Sequence, residues 1–589
     1  MLSGSFFFVV LCFLGILLFF TGLPNLKNCL LPEVSPPSDI SHFYPKMYHV
    51  LVLSVTLIYS VSAFWNLGNL ESPQTFVPME GSSAVFEIQT SEPICQLAVF
   101  SGVGTGEYWI EYSDDAEGWF PVQSFVQDHV AVLKWTYLTL EQECNSHYIR
   151  IICSFGAPWL GEVAFFQRDG IMSPVHSSVD YLTDEGYCVP ASSNYSNSSY
   201  FDEIYHARTA WEHLNNIWPY EISHPPLGKE IISLGIILFG MSPFGWRFCG
   251  TLAGILMVPL MYLFVNRLFH SRRVALLSCI LLSSGFMHYV QTRIATVDSF
   301  AVLFILLMYF FFYGWFSTGN LKDLALSGLF FGIGTACKWT CLYAGAGLAL
   351  LWICFWVGHL IRDGKNVLII FFKNILFCLF FFLIIPCLIY YLSYFPYGKA
   401  ESVFPFSREY TQIVLDNQRF MFQYHSSVVA EHPYSSKWYQ WILNLRPILY
   451  YLEYLPDGKR ISIAAFVNPL ICWTGLLCIP TLVYFSIVRR DKISGFLLVG
   501  YFSGLIPWIF ISRLTFEYHY FASSLFLVPM IAYIFRLMEL NNRHGKQWMY
   551  CFTAAALLLF ISFFPVLNGL PIDNTLGSKL LGWLPSWPI

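Results

Sequence analysis

Charge is what this chain has least of: Asp, Glu, Lys and Arg make up only 12% of its 589 residues, where soluble globular chains carry roughly 25%. A soluble protein of this length would split into roughly four domains of about 150 residues, and there is too little polar surface to coat four domains in water. Basic runs and stripes are missing, which excludes the electrostatic footprint of a nucleic-acid partner. A Gly-rich nucleotide-binding motif is also missing, no internal repeat is evident, and no clean metal-ligand spacing stands out. What the chain has in quantity is apolar: 56% hydrophobic residues, 19% aromatic, and a mean hydropathy of +0.55. That is the composition of a polytopic α-helical membrane protein.

A spanning helix needs about 20 largely apolar residues, and about twelve stretches qualify, starting near 4, 47, 246, 274, 299, 323, 343, 367, 468, 494, 519 and 549. No Lys or Arg precedes the first apolar stretch and Leu23-Pro24 is a poor cleavage site, so it is expected to stay as an anchor. The net charge of −5 hides an asymmetry. Residues 66–245 hold 22 acidic and five basic side chains, a net −17, which leaves +12 for the rest. Short loops carrying Arg267, Arg272 and Arg273, then Arg362 and Lys365, then Arg489, Arg490 and Lys492 alternate consistently with a cytoplasmic side. The acidic segment, the loop from Arg293 to Asp298 and the long loop at about 395–467 then fall outside the cytoplasm.

The expected division is two membrane helices in 1–66, a β-sandwich in 67–172 and a first-loop segment in 173–245. Membrane helices follow in 246–394, an extracytoplasmic loop in 395–467, and the last helices with a short tail in 468–589. The sandwich is read from short alternating runs such as Tyr108-Trp109-Ile110-Glu111-Tyr112 and Tyr148-Ile149-Arg150-Ile151-Ile152, broken by Gly and Asp turns. Twelve of the 16 cysteines lie in or beside apolar spans, while Cys95, Cys144, Cys153 and Cys188 are open to disulfide pairing in an oxidising compartment. Asn194-Tyr195-Ser196 and Asn197-Ser198-Ser199 fit N-glycosylation sequons.

Charges near a bilayer are site candidates by default, and four clusters stand out. Asp202-Glu203 precedes His224-Pro225-Pro226-Leu227-Gly228-Lys229. Adjacent carboxylates suit a general base beside an orienting group, or simply the favourable end of a helix dipole. Arg293 and Asp298 flank a short turn between spans and also read as a surface pair. Lys338-Trp339 follows Gly332-Ile333-Gly334, so the lysine either snorkels or meets an anionic headgroup. His432 and Arg446 join Arg513 and His519 in a fourth group, where the arginines suit a phosphate or an ordinary interfacial anchor. Carboxylates for a hydroxyl acceptor, cations for a departing phosphate and an apolar slot for a lipid tail fit glycosyl transfer from a lipid-linked phosphosugar.

At these residues the chain resembles the protein O-mannosyltransferase family, a branch of the GT-C membrane glycosyltransferases. The matching pieces run in order: Asp202-Glu203, His224-Pro225-Pro226-Leu227-Gly228-Lys229, Pro243-Phe244-Gly245-Trp246-Arg247, Arg293-Ile294-Ala295-Thr296-Val297-Asp298, Lys338-Trp339-Thr340, His432-Pro433-Tyr434 with Arg446-Pro447, and Tyr518-His519-Tyr520. The resemblance implies inverting transfer of a sugar, mannose in its specific form, from a polyprenyl or dolichyl phosphate to Ser or Thr hydroxyls of exported proteins. Asp202 would be the base and Glu203 its assistant. Arg293, Lys338 and Arg513 would contact the lipid phosphate, while His224, Lys229, Asp298, His432, Arg446 and His519 shape the site. Beyond the donor substrate no cofactor or metal is implied.

The inserted module resembles a discoidin-like jelly roll; such modules often bind a carbohydrate ligand, and a structural spacer is the competing reading. The β-trefoil domain of the family's eukaryotic members is missing, so the layout is closer to bacterial ones. The bacterial cytoplasmic membrane is then the expected location, or the ER membrane in a eukaryote, with the site on the extracytoplasmic face. Transfer onto a lipid or cell-envelope glycan is the second enzyme reading; a transporter or glycan-binding receptor is the non-enzyme one.

Overall fold

In lipid a backbone must satisfy its own N–H and C=O groups, so long apolar runs become helices, and each of the twelve expected starts falls on one. The computed structural model describes residues 4–27, 29–32, 45–427 and 431–588. Residues 33–44 of the expected 1–66 segment, residues 428–430 of the expected long loop and the final residue of the tail lie outside them. Among the described residues nine helices are long and apolar enough to cross a membrane, and the bent pair Arg272–Ser283 and Phe286–Thr292 makes a tenth. The other two expected spans are shorter helices, apolar from Phe8 to Thr21 and from Leu321 to Cys337.

The chain forms two compact units. One comprises Met1–Trp65, Ile222–Lys229 and Gly250–Ile589; the other comprises Asn66–Glu221 and Glu230–Cys249. In the first, close helix contacts need small residues. A Cβ on Gly332 would lie 2.8 Å from the backbone of Pro386, and one on Gly228 would lie 2.6 Å from Val297. The Gly-Lys of the His-Pro-Pro motif is thus a contact point: Gly228 lets the helix Leu227–Phe239 start against the turn that ends at Asp298. The stretch expected as a loop at 395–467 is largely structured. It holds the helix Arg408–Ser427, which buries Tyr410, Val414, Asn417 and Met421 at a spacing of three to four residues, and the hairpin Ile448–Tyr454 with Lys459–Ala465.

The second unit carries the β-sandwich. One sheet has strand order β1-β8-β3-β6 and the other β5-β4-β7-β2-β9, all antiparallel. The strands are β1 (Val77–Pro78), β2 (Ser83–Ile88), β3 (Ile94–Ser101), β4 (Gly106–Ser113), β5 (Phe120–Gln127), β6 (Lys134–Cys144), β7 (Tyr148–Gly156), β8 (Trp159–Gln167) and β9 (Val175–Ser177). The two alternating runs read from the sequence are β4 and β7, paired with Ile110 opposite Ile151. Their inward residues, with Phe86, Val99 and Phe165, form the core. Cys144 and Cys153 pack in that core, and all four cysteines of the acidic segment are unpaired, so the disulfide expectation is corrected. The second sequon is corrected as well. Asn197 is 4% exposed and its amide donates to Ser192 O at 2.8 Å, so burial closes it to glycosylation.

After the sandwich the chain is anchored by Arg247, which is fully buried. Its Nε and Nη2 donate to the two carboxylate oxygens of Glu203, each at 2.7 Å, and it also donates to the carbonyls of Leu67, Tyr195 and Ser198. One guanidinium thereby ties two stretches of irregular chain to the start of the helix Glu203–Leu214. Removing one partner of such a pair leaves the other charge buried and unpaired, so Arg247→Ala is expected to cost about 3 to 5 kcal/mol. The readout is a large drop in the melting temperature of the protein in detergent, with Arg247→Lys intermediate because it cannot make the two-pronged contact.

A second expectation concerns Glu162, 1% exposed on β8. Burial, reinforced by the charges of Asp184 and Glu185, pushes its carboxyl up from 4.5 to about 8. The folded form therefore holds a proton that the unfolded form releases. Stability from this group is full below pH 4.5 and falls by about 1 kcal/mol per pH unit up to about 8. Glu162→Gln should flatten that part of the melting-temperature profile.

Candidate active site

Within the membrane unit a cavity of about 240 Å³ is lined by Ser223 and His224, by Lys338, Trp339 and Tyr343, by Phe422 and His425, and by Trp508 and Arg513. Sequence elements far apart are joined here. Helix Leu321–Cys337 ends at an extended Lys338, and the next helix starts at Thr340, so the lysine sits at a corner. Asp298 opens the helix Asp298–Thr318, where the dipole favours a carboxylate. The Lys338 ammonium donates to both oxygens of Asp298, at 2.7 and 2.9 Å, and both residues are over nine-tenths buried. This pair cancels its own charge, so Lys338 offers the cavity a hydrogen-bond donor rather than a net positive charge.

Arg513 differs. It donates to the adjacent carbonyl of Leu514 at 3.1 Å, lies near the Trp508 ring, and forms no ion pair among the described residues. It is half-buried and its charge is uncompensated, which makes it the group in this cavity best suited to an anion.

His425 lies outside the sequence motifs, on a helix whose polar composition resembles a loop. The signal was there in the apolar spacing of 408–427. Its Nε2 lies 2.8 Å from Ser223 O; a carbonyl only accepts, so that nitrogen carries the proton. Its ring stands edge-on to His224 at 5.5 Å. Burial first, then the neighbouring His224, Arg513 and Lys338, push it down to about 4, so the ring is neutral at physiological pH and extends the cavity's polar wall without adding charge.

Other sequence candidates of this unit lie beside the cavity rather than in its lining. Arg293 donates to the carbonyls of Ala63, Trp65 and Leu567 and stacks on Tyr289, holding helix ends together. Lys229 is fully buried and donates to His224 O at 3.0 Å, which fixes the backbone of the His-Pro-Pro turn. The remaining three pack against other segments of this unit. The His432 ring packs edge-on against Phe516 and burial pushes its pKa down; Arg446 donates to Pro433 O at 2.7 Å; and His519 stacks on Trp441 and Tyr518 and meets Trp508 edge-on.

In the other unit the acidic pair divides its labour. Glu203 is buried and bound to Arg247, whereas Asp202 is half-buried at the N-cap of the helix Glu203–Leu214. Phe201, just before it, has φ +49, the left-handed region that a bulky residue enters only under constraint. Arg247 carried no assigned role in the sequence reading; its partner only becomes visible when 44 residues of separation close up.

Two family profiles match. Residues 223–390 match the dolichyl-phosphate-mannose-protein mannosyltransferase profile and residues 410–587 match the C-terminal four-transmembrane region of protein O-mannosyltransferase. Asp202 and Glu203 lie before the first matched residue. The chain is 26% identical over 464 residues to the polyprenol-phosphate-mannose–protein mannosyltransferase of Mycolicibacterium smegmatis, covering 66% of this chain and 87% of that protein. It is 24% identical over 474 residues to the Corynebacterium glutamicum protein of the same name, covering 67% and 90%. The fold is similar to a chain of the S. cerevisiae protein O-mannosyltransferase Pmt1–Pmt2 complex bound to the sugar donor, with a TM-score of 0.59 at 14% identity over 67% of this chain and 90% of that one. The ordered motifs, the helical membrane architecture and the two profiles, which together span more than half of the sequence, agree: the chain is an integral membrane protein of the protein O-mannosyltransferase family, built on the GT-C glycosyltransferase fold.

Proposed function

We propose that this protein transfers mannose from a polyprenyl- or dolichyl-phosphate donor to Ser or Thr hydroxyls of exported proteins, with inversion at the anomeric carbon. The observation that carries the reading is Arg513, an uncompensated guanidinium in a cavity whose other cation, Lys338, is already neutralised by Asp298. A lipid phosphate would meet one net positive charge and several neutral donors there. The names of the mycobacterial and corynebacterial relatives support the donor and the acceptor. The basic loops support an extracytoplasmic site.

In the reaction the acceptor oxygen attacks the anomeric carbon and the bond from that carbon to the phosphate oxygen breaks. Asp202 takes the hydroxyl proton. The lipid phosphate leaves with the bonding pair, and its growing negative charge is met by Arg513 and the remaining N–H of Lys338. Glu203, tied to Arg247, acts on the backbone that presents Asp202.

The test is transfer from radiolabelled polyprenyl-phosphate mannose to a Ser/Thr peptide by the purified protein. Asp202→Asn is expected to lower kcat by about 10² to 10⁴ with little change in melting temperature. Label appearing in lipid or glycan instead of peptide would replace the acceptor; no transfer from any lipid-phosphate sugar, or full activity of the variant, would sink the mechanism. Arg513→Ala is expected to raise the donor KM by about 10- to 100-fold, the value of one hydrogen bond to a charged group, while binding of the acceptor peptide is kept.

A further inference from the structure

A second cavity, of about 510 Å³, lies wholly within the sandwich unit and falls in the size range of small-ligand sites. It is bounded by Gln74–Val77, which leads into β1, by Trp159 at the start of β8, by Tyr181, and by Trp211 and Asn215 at the end of the helix Glu203–Leu214. No charged side chain lines it. Trp211 is 8% exposed and crosses both Trp159 and Phe76 edge to face, at 5.6 and 5.1 Å between ring centres. The cavity therefore offers an aromatic face and an aromatic edge at right angles. Among the described residues the indole N–H groups of Trp159 and Trp211 have no acceptor. The Asn215 amide nitrogen donates to Trp211 O at 2.9 Å, which leaves its carbonyl oxygen as an acceptor, and Tyr181, 61% exposed, brings a hydroxyl.

We propose that this cavity binds a neutral hexose. Pyranose C–H faces pack on aromatic rings, a sugar hydroxyl oxygen accepts an indole N–H, and a sugar hydroxyl donates to the Asn215 carbonyl. The absence of cations in the lining argues against a phosphorylated or acidic sugar. A peptide added as a strand is disfavoured, because the free backbone N–H groups it would need are already used: those of Gln74 and Thr75 donate to the Glu185 carboxylate. The Gln74 side-chain amide is likewise spent on Ser72 O and Met241 N.

Position gives the site a role. Trp211 lies eight residues along the helix that Glu203 begins, about 12 Å at 1.5 Å per residue, a span that about four extended residues cover. A hexose already attached to an acceptor chain would place a hydroxyl about four residues away near the acidic pair, so transferred sugars recruit the chain for further transfer. This role rests on the mannosyltransferase reading; the sugar site itself does not.

The experiment is calorimetric titration of the full chain in detergent, with no lipid donor present, using a mannosylated Ser/Thr peptide, the same peptide unmodified, and methyl mannoside as competitor. The mannosylated peptide is expected to bind about tenfold more tightly, with methyl mannoside displacing it. Tyr181→Ala, Asn215→Ala and Trp211→Phe should each erase most of the difference. If Trp211→Phe does not fold, the two exposed positions decide. Equal binding of both peptides, no displacement by methyl mannoside, or full discrimination in the variants overturns the proposal. Because no donor is used, failure here with mannose transfer intact sinks only the sugar site, and sugar binding without any transfer sinks only the enzymatic reading.

Discussion

A charge removed from water is tolerated only when a partner and its hydrogen bonds replace the solvent, at a penalty otherwise of several kcal/mol per ion. In a chain with 12% charged residues, that rule decides which groups are structural and which are left to act. Glu203 and Arg247 neutralise each other in the sandwich unit, and Lys338 and Asp298 do so in the membrane unit. Both pairs use two contacts between carboxylate and cation, and both sit where irregular chain meets a helix. Once the Lys338–Asp298 pair is counted, Arg513 is the cation of the membrane cavity that forms no ion pair among the described residues.

The helices supply the rigidity that such pairing needs. Asp298 can meet Lys338 because the turn before it is held by Arg293 against three carbonyls and by Gly228 packed on Val297. Several motif residues are therefore positioning groups. They bind backbone and hold the turns in which they sit. Arg293 is one case: it donates to the carbonyls of Ala63, Trp65 and Leu567.

Much of the architecture was legible because its causes are local. Each apolar run of about 20 residues became a helix, and the alternating runs at 108–112 and 148–152 became adjacent strands. The helix at 408–427 is hidden in the sequence because its apolar stripe is narrow and its composition polar, and His425 is hidden with it. The cysteines of the acidic segment suggested disulfides, yet two of them fill the sandwich core, where a thiol behaves as a small apolar group.

By itself the sequence determined that the chain lives in a bilayer, where its sandwich and its long apolar helices lie, and which small set of charged residues are candidates for chemistry, since hydrophobic periodicity and charge scarcity are properties of neighbouring residues. It could not say which charges cancel. Lys338 and Arg513 look alike as interfacial cations in the sequence, but one lies 2.7 Å from a carboxylate 40 residues away and the other has no such partner among the described residues. Only the tertiary structure decided that, because electrostatic pairing depends on distance in space, and the distances are set by how the helices pack.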